Sequence, residues 1–431
     1  MTNILLINVH SSCNTGDDAL TLVTLHQLRD NFPDCQIILA FDDPAHGLED
    51  ELVVGSLFHW VKPSGKGGKS KWRFLRLLGL LPGTLLPLVS WKITGKPIWG
   101  LTPATLRPLL HAYFATDLVV SKPGGFLYSS GKGLVYLISI YSMAFAIFTK
   151  KPFYIFPQSI GPIKHGWERS LLKWLVIKAR IVMAREEISY QLLTSIAGSS
   201  NRFQLLPDPA FACPEASEEA AIEWLNQHDI DVDSGRPLLG VTVVNWMAEN
   251  PRFQYQDRYE AAIAAAARDF INQTNGTAIF FTQVWGPSYS QDDRIPSKRI
   301  TARLQDVAKD VIHIQDVTSP PLLKAIYGCM DVFLGTRMHS NIFALSQGVP
   351  VIAIGYQPKT EGILRMLNLD RWMLPIQDVD ESTLPKLLSS LFEQRDAVAN
   401  SISIKLPAII EKANLPGRIV AQDFQKLKQD L

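Results

Sequence analysis

Short apolar runs alternate with helix-spaced segments along almost all of this chain, and that alternation limits its folds more than any other feature. "ILLINV" (Ile4–Val9) is followed by a polar loop and then by "DALTLVTLHQLRDNF", whose apolar residues recur at helical spacing. The same order of run, turn and helix recurs at Gln36–Ala40, Asp117–Ser121, Phe153–Phe156, Ile181–Ala184 and Phe203–Leu206. It restarts at Leu238–Val244 and continues through Thr277–Phe281, Val311–Ile314, "DVFLG" and "VPVIAIG". Wholly apolar strands separated by helices build parallel sheets with helices on both faces. The expected class is α/β with two Rossmann-like domains, because 431 residues exceed one ordinary core.

The first domain is expected over residues 1–213 and the second over 238–395. Between them, 214–237 is acidic and polar with proline near each end, which suits a linker and helix. Residues 396–431 read as a C-terminal helix that packs back on the first domain. One region, 62–100, breaks the alternation. It opens basic and Gly-rich, and its apolar middle is interrupted by Pro82 and Pro87. "GKS" at Gly68–Ser70 resembles the end of a phosphate-binding loop, but Pro63 stands where the first glycine belongs and no strand feeds it. Lys66, Lys69, Lys71, Arg73 and Arg76 adjoin or mix with "FLRLLGLLPGTLLPLVSW". That pattern predicts peripheral contact of 66–91 with a membrane surface or a lipid-linked acceptor, against a buried insertion or a dimer contact. No uncharged apolar stretch reaches the ~18 residues of a spanning helix. "GLVYLISIYSMAFAIF" (Gly133–Phe148) reads as a buried helix.

The formal net charge of +1 gives no global electrostatic case for nucleic acid, so an anion site must be built locally. Four cysteines without CxxC spacing offer neither a disulfide framework nor a zinc site. Together with an N-terminus lacking a basic leader, they point to the cytoplasm, with peripheral attachment at the inner face of the membrane if 66–91 binds lipid. The sequence leaves the oligomeric state open.

In a parallel sheet the loops leaving the strand carboxyl ends share one edge, and ligands bind there. Five such loops carry unusual residues. "NTGDDAL" offers Asn14, Gly16 for a tight turn, and Asp17, which with Asp18 is also suited to capping the next helix. Gly124 and Gly125 permit close approach of backbone to a ligand. In "PQSIGP", Gln158 and Ser159 suit hydroxyl recognition. Arg185 stands before a helix whose positive end disfavours it, so it either meets a ligand or pairs with Glu186 or Glu187. Arg337 and His339 occupy a strand-to-helix turn, with Lys359 after the next strand. An arginine fork, a lysine point charge and a titratable histidine suit a small multiply charged anion and a proton transfer. Asp292 and Asp293, in "SYSQDDR", are carboxylates suited to touching a sugar or a metal, but they read first as residues of a solvated loop.

The ordered set "NTGDDAL", "GG", "PQSIGP", "AREEIS", "DPAF", "GTRMHS" and "GYQPK" resembles the polysaccharide pyruvyl transferase family, from Asn14 to Lys359. The resemblance implies a GT-B-like pair of domains facing a cleft. It also implies transfer of a pyruvyl group from phosphoenolpyruvate to hydroxyls of a saccharide, free or lipid-linked, as a cyclic ketal. On that pattern Arg185, Arg337, His339 and Lys359 form the donor site and balance most of the donor's charge, with His339 moving the proton. Asn14, Gly16, Asp17, Gly124, Gly125, Gln158, Ser159 and Ser340 bind substrate around them. No metal, redox cofactor or nucleic acid is implied. The alternative in the same fold is a nucleotide-sugar glycosyltransferase, since a cleft with arginine and lysine also suits a diphosphate.

Overall fold

The computed structural model describes residues 1–46, 51–62, 70–129, 133–250, 252–356 and 358–430. The chain divides into two compact units. The first comprises Met1–Ser12, Leu20–Pro209 and Asn414–Leu431; the second comprises Cys13–Ala19 and Ala210–Ala413.

Among the described residues the first unit holds an eight-stranded parallel sheet. Its strands are β1 (Thr2–Val9), β2 (Cys35–Phe41), β3 (Leu52–Gly55), β4 (Leu118–Ser121), β5 (Gly124–Leu127), β6 (Phe153–Ile160), β7 (Ile181–Ala184) and β8 (Phe203–Leu205). They run in the order β3-β2-β1-β4-β6-β7-β8, with β5 paired to β6. The second unit carries β9 (Leu238–Thr242), β10 (Thr277–Phe280), β11 (Val311–His313), β12 (Val332–Gly335), β13 (Val351–Gly355) and β14 (Met373–Pro375). Their order, β11-β10-β9-β12-β13-β14, is that of a doubly wound nucleotide-binding fold, with its switch point between β9 and β12. Every strand expected from the apolar runs is present. Strand interiors such as Leu5, Val119, Ile155, Ile279 and Leu334 are wholly buried, as a sheet covered on both faces requires.

Three strands escape the apolar-run test: β3, β5 and β14. Strand β5 begins on Gly124 and Gly125, residues with little intrinsic strand preference, and exists because Gly124 pairs with Gln158 and Leu127 with Ile160. Strand β6 runs past the expected end at Phe156, so Gln158 and Ser159 lie in a strand and not in a loop. Against β7 the register slips between Ile155 and Gln158, across Pro157, which has no N–H to give the ladder.

The expected break at Pro82 and Pro87 does not occur. Ser70–Thr94 is one helix through both prolines. Pro87 cannot donate to the carbonyl of Gly83, and Thr102 Oγ1 donates to that oxygen at 2.8 Å instead. Thr84 Oγ1 bonds the carbonyl of Leu80 at 2.7 Å and the hydroxyl of Tyr141 at 2.6 Å, tying the helix to the core. Lys66 and Lys69, and with them most of the "GKS" motif, lie outside the described residues. Gly133–Phe148 is a helix whose Tyr136, Met143 and Phe145 are fully buried, as expected.

The C-terminal stretch is two helices. Arg395–Ala413 belongs to the second unit; Leu415–Gln429 belongs to the first and packs on the helix Thr15–Asn31. There the N–H of Gly417 meets Gln27 Oε1 at 3.3 Å. Arg180 holds Asp423 through Nε at 2.9 Å and Nη2 at 2.8 Å, and the Tyr154 hydroxyl donates to the same carboxylate at 2.8 Å.

Candidate active-site residues

In the second unit the sequence places Arg337 at the N-cap of the helix Met338–Ser346, directly after β12. This is the carboxyl end of a strand at the switch point, where a doubly wound sheet opens to ligands. Gly335 ends β12 without a side chain because Asn341 folds back over it. A Cβ on Gly335 would lie 1.7 Å from Asn341 Oδ1, and Asn341 Nδ2 donates to the Gly335 carbonyl at 3.2 Å. Thr336 is fixed by the Tyr259 hydroxyl at 2.7 Å.

Arg337 is held by Asp293. Its Nη2 donates to Oδ1 at 2.6 Å and its Nε to the same oxygen at 3.1 Å, while Nη2 also reaches the carbonyl of Gln291 at 3.1 Å. Asp293 is 0% exposed, and its Oδ2 accepts the Val284 N–H at 2.9 Å. The expectation of a solvated loop at Asp293 is therefore wrong. An ionised carboxylate leaves water only when it is paired and hydrogen-bonded, and Arg337 and Val284 meet that condition. Ser340 is also buried. Its hydroxyl donates to the Arg337 carbonyl at 2.7 Å and shares a 2.6 Å bond with Thr242.

His339 projects against the segment Cys13–Ala19. A Cβ on Gly16 would stand 2.1 Å from His339 Nδ1, so glycine is what admits the ring. That segment is fixed to the loop after β10 by the Thr15 N–H on the Gln283 carbonyl at 3.1 Å and the Trp285 N–H on the Cys13 carbonyl at 3.0 Å. Asn14, not Asp17 or Asp18, caps the helix Thr15–Asn31. Its Oδ1 accepts the Gly16 N–H at 3.0 Å, and its Nδ2 donates to Asp17 Oδ2 at 3.0 Å. Gly16, Asn14 and Asp17 are thus brought together with His339. Lys359 is the second residue of the helix Pro358–Leu367, which follows β13. Because β12 pairs with β13 through Gly335 and Ala353, the turns carrying Arg337 and Lys359 leave adjacent strands, as their spacing predicts.

The first unit gathers a second set. Arg185, just before the N-cap Glu186 of the helix Glu187–Ala197, is 1% exposed. Its Nη1 donates to Asp208 Oδ2 at 2.7 Å, its Nε donates to Ser159 Oγ at 2.7 Å, and Glu186 Oε2 lies 3.6 Å away. Ser159 passes its own proton to Glu186 at 3.0 Å, and Ser189 donates to the other oxygen of Glu186. Burial pushes the Glu186 carboxyl up, against the pull of Arg185. The Arg185 backbone N–H meets the Gln158 carbonyl at 3.1 Å, and Gln158 Nε2 donates to the Lys122 carbonyl. That bond fixes the amide orientation, since only nitrogen can donate to a carbonyl, and it leaves Oε1 buried without a hydrogen bond among the described residues. Gly124 flanks Gln158 across β5 and β6, with Gly125 beside it.

Both arginines are thus compensated by buried carboxylates, Arg185 by Asp208 and Arg337 by Asp293. The charge of each arginine is already met by an acid of its own unit, a pairing that the simple charge balance expected from the sequence did not include. Asp208 was within reach of sequence reading, since it opens the "DPAF" motif. Asp293 carried no such signal.

A family model described as "Polysaccharide pyruvyl transferase" matches residues 14–358. The chain is 21% identical to "Amylovoran biosynthesis protein AmsJ" of Erwinia amylovora over 435 aligned positions, covering 98% of this chain and 99% of that one. Among solved structures it resembles the UDP-GlcNAc 2-epimerase of Neisseria meningitidis bound to UDP-GlcNAc, with a TM-score of 0.56, 10% identity and coverage of 99% and 100%. It also resembles Anabaena HepE in complex with UDP and glucose, with a TM-score of 0.53, 11% identity and full coverage of both chains. These likenesses identify the fold as GT-B-like. The family model takes in most of the chain, including the Asn14–Asp17 turn, the Arg185 network and the Arg337–His339 turn, and the chain belongs to the polysaccharide pyruvyl transferase family.

Proposed function

We propose that this protein transfers the pyruvyl group of phosphoenolpyruvate to two hydroxyls of a saccharide, closing a cyclic ketal, in polysaccharide biosynthesis. The observation that carries the reading is the family match over residues 14–358. The position of Arg337 and His339 at the sheet's switch point supports it.

The reaction asks for one proton and one leaving group. His339 gives a proton to C3 of the enol, and C2 becomes electrophilic. A first hydroxyl attacks C2. A second then displaces phosphate and closes the ring. Of the two hydroxyl protons, one restores His339 and the other leaves with phosphate. Arg337, kept in place by Asp293, directs its N–H groups at the donor's anionic oxygens. Lys359 joins it from the neighbouring turn, and the family's motif order assigns Arg185 to the donor as well. The hydrogen-bonding capacity of Gln158 Oε1 suits a hydroxyl of the acceptor. The scattered cysteines accord with a reducing compartment, and we place the activity in the cytoplasm.

The test offers phosphoenolpyruvate or nucleotide sugars, each with candidate saccharides. Acceptor-dependent release of phosphate supports pyruvyl transfer. Nucleotide release without it would overturn this reading in favour of a glycosyltransferase, the reading that the likeness to HepE with UDP and glucose would then support.

A further inference from the structure

We propose that the helix Ser70–Thr94 is an interfacial anchor that lays the first unit on a bilayer containing anionic lipid. One side of this helix belongs to the core. Leu80 and Leu88 are buried in it, Thr84 bonds Tyr141, and Trp91 stacks on Phe114 with centroids 4.8 Å apart. The other side is an aliphatic stripe, with Pro82 inside it and a single charge, Lys92, near its C-terminal end. Leu75, Leu78, Leu81, Leu85, Val89 and Ile93 are 38–76% exposed. At 3.6 residues per turn these six positions fall within an arc of about 120° and cover five turns. Scattered exposed leucines need no explanation, but a stripe of this length on one face does.

Charge decides what covers it. Residues 52–116 contain nine lysines or arginines and no aspartate or glutamate. The rest of the chain is left with 33 basic against 41 acidic residues, so the stretch of sequence that carries this helix holds the protein's positive excess. A second copy docked two-fold on the stripe would bring two such basic segments together. An anionic headgroup layer satisfies the charge while its acyl region takes the stripe. Leu75–Thr94 is long and apolar enough by composition to cross a membrane. Crossing would strip Leu80, Thr84 and Leu88 from the core, so the helix lies in the interface and does not span.

The experiment is flotation of the full chain with vesicles of phosphatidylcholine, with and without phosphatidylglycerol. Wild type should rise with the anionic vesicles at least about tenfold more than with neutral ones, and added salt should reduce the recovery. Leu78→Glu with Leu85→Glu should leave the protein at the bottom while its melting temperature and elution volume stay unchanged. If those substitutions disturb folding, Leu78→Ala with Leu85→Ala should give an intermediate recovery. Three results would overturn the proposal. One is equal flotation of wild type and variants. Another is no flotation of wild type with either vesicle. The third is an oligomer that the glutamate variant converts to monomer without any lipid binding, which would assign the stripe to a second copy.

Discussion

The imidazole of His339 lies so close to Gly16 that a Cβ would stand 2.1 Å from Nδ1 and 2.4 Å from Cγ. The contact joins the turn after β1 to the turn after β12, two sequence motifs more than 300 residues apart. It makes the position of the ring depend on a residue with no chemistry of its own. Gly16→Ala should therefore act through His339. The methyl must push the ring aside, at an overpacking cost of roughly 1–3 kcal/mol. If His339 moves the proton, kcat should fall by about 10²-fold, as misplacement of a catalytic group by an ångström does. Steady-state kinetics beside a thermal melt checks this. A stable variant with unchanged kcat would show that turnover does not need the ring where it stands.

Arg337 and Asp293 make a different kind of pair, a buried one whose halves depend on each other. Arg337→Ala leaves the fully buried Asp293 carboxylate without its counter-charge, which typically costs about 3–5 kcal/mol. The loss of stability would then accompany any loss of donor affinity. Adding Asp293→Asn removes the charge and keeps an acceptor for the Val284 N–H. The double variant should recover a large part of the stability and none of the activity. Chemical denaturation of the four proteins in this cycle measures the coupling. Additive destabilisation would mean that the pair is not a unit.

Much of this architecture is legible in the residues, for a physical reason. Runs such as "LLGVTVV" and "VPVIAIG" are apolar on both faces, and only a doubly covered parallel strand buries both. What escaped reading depends on contacts at long separation. Strand β5 owes its existence to β6 and not to its glycines. Helix Ser70–Thr94 survives Pro87 because Thr102, well beyond its end, serves the carbonyl that the proline abandons. Asp293 looked like a surface acid because its partner lies 44 residues away. The Arg337–His339 turn was legible because its chemistry is local to one strand end. The ordered motifs set Gly16 near His339, but not the direct contact between them, which no pattern in the residues encodes.

The Thr102 bond has a measurable consequence. Thr102→Val keeps the shape and removes the hydroxyl, so the Gly83 carbonyl loses its donor in a buried place. The cost should be about 1–3 kcal/mol. Urea unfolding reads it. A neutral substitution would mean that another group takes up the carbonyl.

Glu186 predicts a pH dependence whose sign follows from its environment. Burial raises the carboxyl above its ordinary 4.5 in the folded protein, so above that pH the native state binds more protons here than the unfolded chain does. Stability from this residue is therefore greatest below 4.5 and declines as pH rises through the folded value. Glu186→Gln keeps an oxygen for Ser159 and Ser189 and abolishes the titration. Its stability relative to wild type should climb from pH 4.5 towards neutrality and then level off. Melting temperatures of both proteins across that interval test the slope. A difference that does not change with pH would show that Glu186 is not the titrating group.

His339→Gln separates proton transfer from binding. Glutamine keeps a polar side chain of similar reach but cannot exchange a proton near neutral pH. If His339 supplies the proton to C3, kcat should fall by roughly 10²–10⁴-fold with little change in affinity for phosphoenolpyruvate. Arginine cannot exchange that proton at any working pH, so Arg337→Lys should behave the other way. It retains the charge, loses the fork that Asp293 holds at Nε and Nη2, and should raise the apparent KM for the donor more than it lowers kcat. Direct titration of phosphoenolpyruvate onto each variant, set beside kcat and KM, distinguishes the two roles. If His339→Gln abolishes donor binding but still turns over at saturation, His339 holds the donor and does not move the proton. The acid must then be sought elsewhere, with Asp17 or a bound water the next candidates.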